Sequence, residues 1–211
     1  MLASSLFTKI CSFSTSLLLI RILSPDEYGV LSYVLSALAF FIPFSGGGIQ
    51  HALLRYAPML ADEKDKVGLF QHSLFRGLLF SSFIAVVLFL LMPWLNGAVG
   101  NTSTHFYWLI LYLFSFFLIE LVKTSYRVGH QNKKYAGMDV YSSALVLVLG
   151  IGLAYFYGSL AYVIVFVTVP LFIGLVHLKV PSKVHVKIPD KYYSYGMWVG
   201  IGAIASQLMY S

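Results

Sequence analysis

Charge is scarce in this chain. Of its 211 residues 14 are Lys or Arg and 8 are Asp or Glu, so charged residues make up 10%, against about 25% in a soluble globular protein. So few ionised groups cannot cover a water-exposed surface, and a soluble domain is excluded. Hydrophobic residues make up 59% of the chain and mean hydropathy is +0.82, which excludes intrinsic disorder. Cysteine is nearly missing. Cys11 is the single one, so there is no disulfide framework and no multi-cysteine metal site. Catalytic patterns are lacking too: no His/Cys or carboxylate cluster at metal spacing, no serine nucleophile elbow and no phosphate-cradling glycine loop between strand and helix. These absences argue against an enzyme and give no reason to expect a metal or bound cofactor.

Long apolar runs are what the chain has in abundance. A membrane-crossing helix needs about 20 mostly apolar residues. Runs of that kind fall at residues 2–23, 25–54, 74–95 and 106–122. No charged residue occurs from Val140 to Val176. That stretch suits two short spans of about 27 Å each, turning at Tyr157-Gly158-Ser159. Another apolar segment runs from Tyr192 to Ser211. The expected fold is all-α and polytopic: a lobe of six transmembrane helices over residues 1–191, and at 192–211 the beginning of a seventh helix that opens a second, truncated lobe. Period-two alternation is missing from the runs, which disfavours a β-barrel.

Basic residues give an orientation. Arg55, Lys64, Lys66 and Arg76 flank or occupy the connection after the second span. Lys123, Arg127, Lys133 and Lys134 follow the fourth, and Lys179, Lys183, Lys187 and Lys191 follow the sixth. The connections after the third and fifth spans have none. The positive-inside rule then puts the N-terminus and the even-numbered connections in the cytoplasm. This bias accounts for the net charge of +6 without nucleic-acid binding. The N-terminal run has no basic stretch before it and no small-residue cleavage site after it, so it reads as a retained span rather than a signal peptide, with its abrupt start leaving room for a few residues upstream.

The connections carry local chemistry. Ser24-Pro25-Asp26-Glu27 has the spacing of a capping box with proline at the first helical position. Its two acids suit the positive end of a helix dipole; an outer gate is the alternative. Tyr28 falls at headgroup level. Asn101-Thr102-Ser103 matches a glycosylation acceptor by a short and common pattern. The mixed run Asp62-Glu63-Lys64-Asp65-Lys66 reads as a solvated turn.

Polar groups inside the spans are more informative, because a charge at the bilayer centre costs at least about 2.5–3.5 kcal/mol. Lys9 lies about 10 Å into the first span, either snorkelling to headgroups or facing a polar cavity. Gly46, Gly47 and Gly48 follow Pro43 late in the second span and predict a break or kink. Irregular backbone at membrane depth is tolerated only against protein or an aqueous cavity. That run is therefore either a close helix–helix contact or a hinge beside the polar cluster Gln50, His51 and Arg55. Glu120 and Lys123, spaced i, i+3, suit an interfacial ion pair; ion coupling is the alternative role.

The stretch Arg21-Ile22-Leu23-Ser24-Pro25-Asp26-Glu27-Tyr28-Gly29, then Ser45-Gly46-Gly47-Gly48-Ile49 and Leu54-Arg55-Tyr56, resembles bacterial polysaccharide-biosynthesis membrane proteins. These are the O-antigen and capsule flippases of the multidrug/oligosaccharidyl-lipid/polysaccharide exporter superfamily. Tyr126-Arg127-Val128-Gly129 and Asn132-Lys133-Lys134-Tyr135-Ala136 are similar to that family's connection after its fourth helix. The resemblance implies two six-helix lobes forming a V around a central cavity. It implies a bacterial inner-membrane location and a lipid-linked oligosaccharide as substrate, with other glycan-assembly proteins as possible partners. It also implies that Lys9 and Arg55, by position, attract the substrate's pyrophosphate. Family members have about twelve or more spans, so the remaining lobe is expected downstream or on another polypeptide. A drug exporter of the same superfamily is the alternative, which a carboxylate within the spans would favour. A membrane-embedded glycan transferase or polymerase is a third, disfavoured by the short, nearly uncharged outward loops.

Overall fold

The computed structural model describes residues 2–99, 103–178, 188–189 and 191–210. The chain runs through α1 (Leu2–Ile22), α2 (Pro25–Phe41), a 3-10 segment (Ile42–Gly48), α3 (Ile49–Tyr56), α4 (Glu63–Val99), α5 (Ser103–Val128) and α6 (Asn132–Leu145). A π-helical turn (Val146–Gly150) then leads into α7 (Ile151–His177), and α8 (Tyr192–Tyr210) follows. No strand occurs among the described residues. The chain is an all-α, multi-pass membrane protein.

Among the described residues five helical runs are long and apolar enough to cross a bilayer, the last being the 46 residues Asn132–His177. At 1.5 Å per residue that run would measure about 69 Å, more than twice a hydrocarbon core of about 30 Å. Gly158 divides it, with φ 75° and ψ −166°, a region open essentially to glycine alone. The chain reverses there. Gly150, eight residues before the break, faces Tyr162 and Val165 beyond it. The expected turn at Tyr157-Gly158-Ser159 is thus present, and six crossings result. Tyr155, Phe156 and Tyr157 stand exposed at its tip, where amphipathic rings suit the headgroup layer.

Several helices are longer than their apolar runs. The third crossing begins at Glu63 rather than near residue 74, and the fifth at Asn132 rather than 140. Apolar content marks the part of a helix in lipid, not the part beyond it. The Asp62 carboxylate accepts the Lys64 backbone N–H at 3.0 Å and so caps the α4 extension in water. The span expected over 25–54 is three pieces, with the predicted break at its glycines.

At the head of α2 the capping box is formed as the sequence implies. Ser24 Oγ accepts the Glu27 N–H at 3.3 Å, and Glu27 Oε2 accepts the Ser24 N–H at 3.4 Å. Ser24→Ala is expected to lower stability by about 1 kcal/mol, read as a shift in the midpoint of thermal unfolding in detergent. The acceptor pattern at Asn101-Thr102-Ser103 lies largely outside the described residues, as do Lys179, Lys183 and Lys187.

α5 is the central post of the lobe. Its span is 56% buried against 17% for α1. Phe106, Leu109, Leu113, Phe117 and Leu121 run down one buried stripe, at the three- and four-residue spacing of a helix face. Within lipid, packing and hydrogen bonding rather than water exclusion hold such helices together. Accordingly the Ser115 hydroxyl donates to the Val167 carbonyl at 2.8 Å, and Ser45 Oγ donates to the Leu113 carbonyl at 2.8 Å. The outward faces of α1 and α4 carry Leu6, Ile10, Phe13, Phe83, Leu90 and Trp94, a surface fit for acyl chains.

Candidate functional site

The break after α2 is built by three successive left-handed residues, Gly46 (φ 69°), Gly47 (φ 59°) and Gly48 (φ 72°). L-residues with a Cβ pay a steric penalty there. Space demands glycine as well: a Cβ on Gly46 would enter the Phe117 ring, and one on Gly48 would enter the Gly196 carbonyl of α8. Backbone groups freed by the break are satisfied from neighbouring helices. The Gly46 N–H donates to Ser81 Oγ at 3.0 Å. The break therefore lies against protein, and Gly48 meets Gly196 and Gly200 in a close backbone contact with α8. A tight helix–helix contact is thus present at these glycines.

α3 follows directly and presents the polar group. Gln50 Oε1 is buried and has no hydrogen-bond partner among the described residues. His51 is half-buried, close enough to Glu120 and Arg127 to feel both charges. Arg55 is exposed; its guanidinium stacks 4.2 Å from the Tyr195 ring of α8 and 5.7 Å from Tyr56. Such a contact orients the cation without neutralising it, since no carboxylate pairs with it among the described residues.

Lys9 sits elsewhere, on α1, which packs against α6 and α7. Cys11, Thr15 and Leu19 are the buried side of that helix. Lys9 is two residues from Cys11, or about 200° around the axis, so it points away from the packed side. Ser5, Lys9, Ser12 and Ser16 are all exposed. Their i, i+4, i+7, i+11 spacing lines them along one polar stripe of an otherwise greasy helix. The sequence singled out Lys9 alone, but the serines beside it share its face.

Glu120 and Lys123 pair at 2.5 Å as the spacing predicts, and a second carboxylate joins them. Lys123 Nζ also contacts Asp139 Oδ1 of α6 at 2.8 Å. Lys123 is 8% exposed, and two carboxylates against one ammonium leave a net negative charge. The sequence reading missed Asp139 because it lay just ahead of the expected start of the fifth span. Removing only the cation strands two half-buried carboxylates beside each other without a counter-charge, which is unfavourable. Lys123→Met is therefore expected to destabilise the lobe more than the triple exchange Lys123→Met, Glu120→Gln, Asp139→Asn, as compared by chemical unfolding in detergent.

A cavity of ≈ 200 Å³ opens beside the α1 stripe, between α1, α5, α6 and α7. Ser12, Tyr112, Ser142, Ser143 and Tyr162 bring hydroxyls to it, and none of these hydroxyls has a hydrogen-bond partner among the described residues. Phe166 lies between the two tyrosines, stacked on Tyr112 at 4.6 Å and on Tyr162 at 5.9 Å. Serines and tyrosines are nearly neutral in hydropathy, so nothing in the sequence marked this pocket.

The fold is similar to about half of several solved structures. It superposes on a MATE protein crystallised in the straight conformation with TM-score 0.80 at 14% identity, covering 99% of this chain and 51% of that one. A MOP superfamily transporter from Pyrococcus furiosus gives TM-score 0.73 at 15% identity, covering 97% and 50%. An outward-facing multidrug resistance MATE family transporter gives 0.71 at 15%, covering 99% and 51%. The chain thus spans about half the length of these structures. The polysaccharide biosynthesis protein family model matches residues 1–209, and the chain belongs to that family. No curated protein matches it.

Proposed function

We propose that this chain forms the N-terminal lobe of a flippase that moves a polyprenyl-pyrophosphate-linked oligosaccharide, such as an O-antigen or capsule unit, across the bacterial cytoplasmic membrane. Family membership, a transporter fold and the Ser5–Lys9–Ser12–Ser16 stripe support the reading, and the stripe carries it. Hydroxyls and an unpaired ammonium facing lipid would be costly. They fit instead the wall of an aqueous cavity shared with a second lobe, where a cation attracts a diphosphate. Arg55 supplies a second unneutralised cation on the lobe surface. No bond is made or broken in this function, so no cofactor is called for. The N-terminus is cytoplasmic in this reading, and the Gly46–Gly48 break acts as a hinge when the lobes rock.

The test is deletion of the gene for the complete protein in its own host. Surface glycan is expected to fall and polyprenyl-linked intermediate to accumulate in the inner leaflet. Normal surface glycan together with raised sensitivity to cationic drugs would favour the drug-exporter reading. Glu120 and Asp139, two carboxylates facing one lysine between α5 and α6, are what speak for that second reading.

A further inference from the structure

We infer that the hydroxyl-lined cavity between α1, α5, α6 and α7 is a subsite for one neutral sugar ring, the residue attached to the substrate's diphosphate. The inference rests on the proposed flippase reading and names which part of the substrate the pocket takes. Its first support is unsatisfied hydrogen-bonding capacity. Tyr112 and Tyr162 are 8% and 5% exposed, and their hydroxyls are near enough to act on each other electrostatically. Neither hydroxyl has a protein partner among the described residues, nor do those of Ser142 and Ser143. Buried polar groups normally find partners, so two hydroxyls on buried tyrosines that open onto one space, with the half-buried Ser142 and Ser143 beside them, point to a ligand that supplies them.

The chemistry of the lining narrows the ligand. Hydroxyls both donate and accept, as the hydroxyls of a sugar do, and no charged residue lines the pocket. An anion would lack a counter-charge there, and a bare cation would lack a carboxylate. The Tyr112–Phe166–Tyr162 stack adds rigid apolar surface for the C–H faces of a pyranose. At ≈ 200 Å³ the space is below the roughly 300 Å³ of ordinary small-molecule sites, which suits one ring and not an oligosaccharide. Position supports the same ligand. Ser12 lines the pocket and lies one turn from Lys9 on the same stripe, about 4.5 Å along the axis. A diphosphate held at Lys9 would place the sugar bonded to it at the pocket mouth.

The experiment titrates the detergent-solubilised chain with farnesyl diphosphate, and with farnesyl diphosphate carrying N-acetylglucosamine, N-acetylgalactosamine, glucose or galactose. At least one glycosylated compound is expected to bind about tenfold tighter than the bare diphosphate, the effect of one or two added hydrogen bonds. The double exchange Tyr112→Phe, Tyr162→Phe keeps both rings and should remove that advantage while leaving the bare diphosphate unchanged. Equal binding of all compounds, or an advantage that survives the double exchange, overturns the inference and leaves the diphosphate reading standing. Binding that needs the sugar but ignores Lys9→Ala overturns the diphosphate reading and leaves the subsite standing. No binding of any compound overturns both. A double exchange that alters sodium dependence rather than sugar preference makes the pocket a cation site and also overturns it.

Discussion

Exchanging Lys9 for alanine in the complete protein is expected to abolish export of surface glycan while leaving the amount of protein in the membrane normal. Lys9 has no ion pair among the described residues and is exposed, so its loss is expected to leave the α1–α6 contact intact. In the proposed role, what disappears is a charge-assisted contact to phosphate, worth about 1.5–3 kcal/mol, or roughly tenfold to hundredfold in affinity. Lys9→Arg keeps the charge and should retain most export. Arg55→Ala is expected to act in the same direction. Arg55→Lys should recover only part, because lysine keeps the charge but loses the planar stack on Tyr195 and the bidentate fork. Quantifying surface glycan beside membrane protein levels reads both series. Unchanged export in Lys9→Ala and Arg55→Ala together would remove both residues from the site.

Gly48→Ala should be the most damaging small substitution in the lobe. A left-handed alanine costs about 1–2 kcal/mol from backbone alone. Its Cβ also enters the Gly196 carbonyl, so α8 must move away from the 3-10 segment. Gly46→Ala carries the same backbone strain, but there the obstacle is the Phe117 ring, and a side chain can be trimmed. Gly46→Ala combined with Phe117→Leu is therefore expected to recover part of the loss in thermal stability. No side-chain exchange at position 196 can rescue Gly48→Ala, because the obstacle there is backbone. Thermal midpoints measured in detergent for the single and double variants separate the two cases.

What the sequence disclosed was mostly local. The capping box at Ser24 and Glu27 was legible because its partners lie three residues apart, and the break at Gly46–Gly48 because three adjacent glycines have few other uses in a helix. The reversal at Gly158 followed from a charge-free run too long for one crossing. Helix ends were misjudged where polar residues continue a helix past the lipid, as at Glu63 and Asn132. The partnership of Lys123 was half visible: Glu120 is on its own helix, whereas Asp139 arrives from α6 by tertiary packing. The hydroxyl pocket was hidden altogether. Ser12, Tyr112, Ser142 and Tyr162 come from four separate crossings, and neither charge nor periodicity distinguishes them from ordinary span residues. Of the polar group on α3, Gln50 Oε1 is buried beside Gly46 and His51 lies within electrostatic range of Glu120 and Arg127.

The proposed function requires that the exposed α1 stripe face water and phosphate rather than acyl chains. Cys11 is the only native cysteine, so Cys11→Ser yields a background in which Lys9→Cys can be labelled alone. In membranes containing the complete protein, the new thiol is predicted to react readily with a charged, membrane-impermeant maleimide and to be shielded by added polyprenyl diphosphate. A thiol that resists the charged reagent, reacts only with a lipid-soluble one, and is indifferent to the diphosphate would contradict the account.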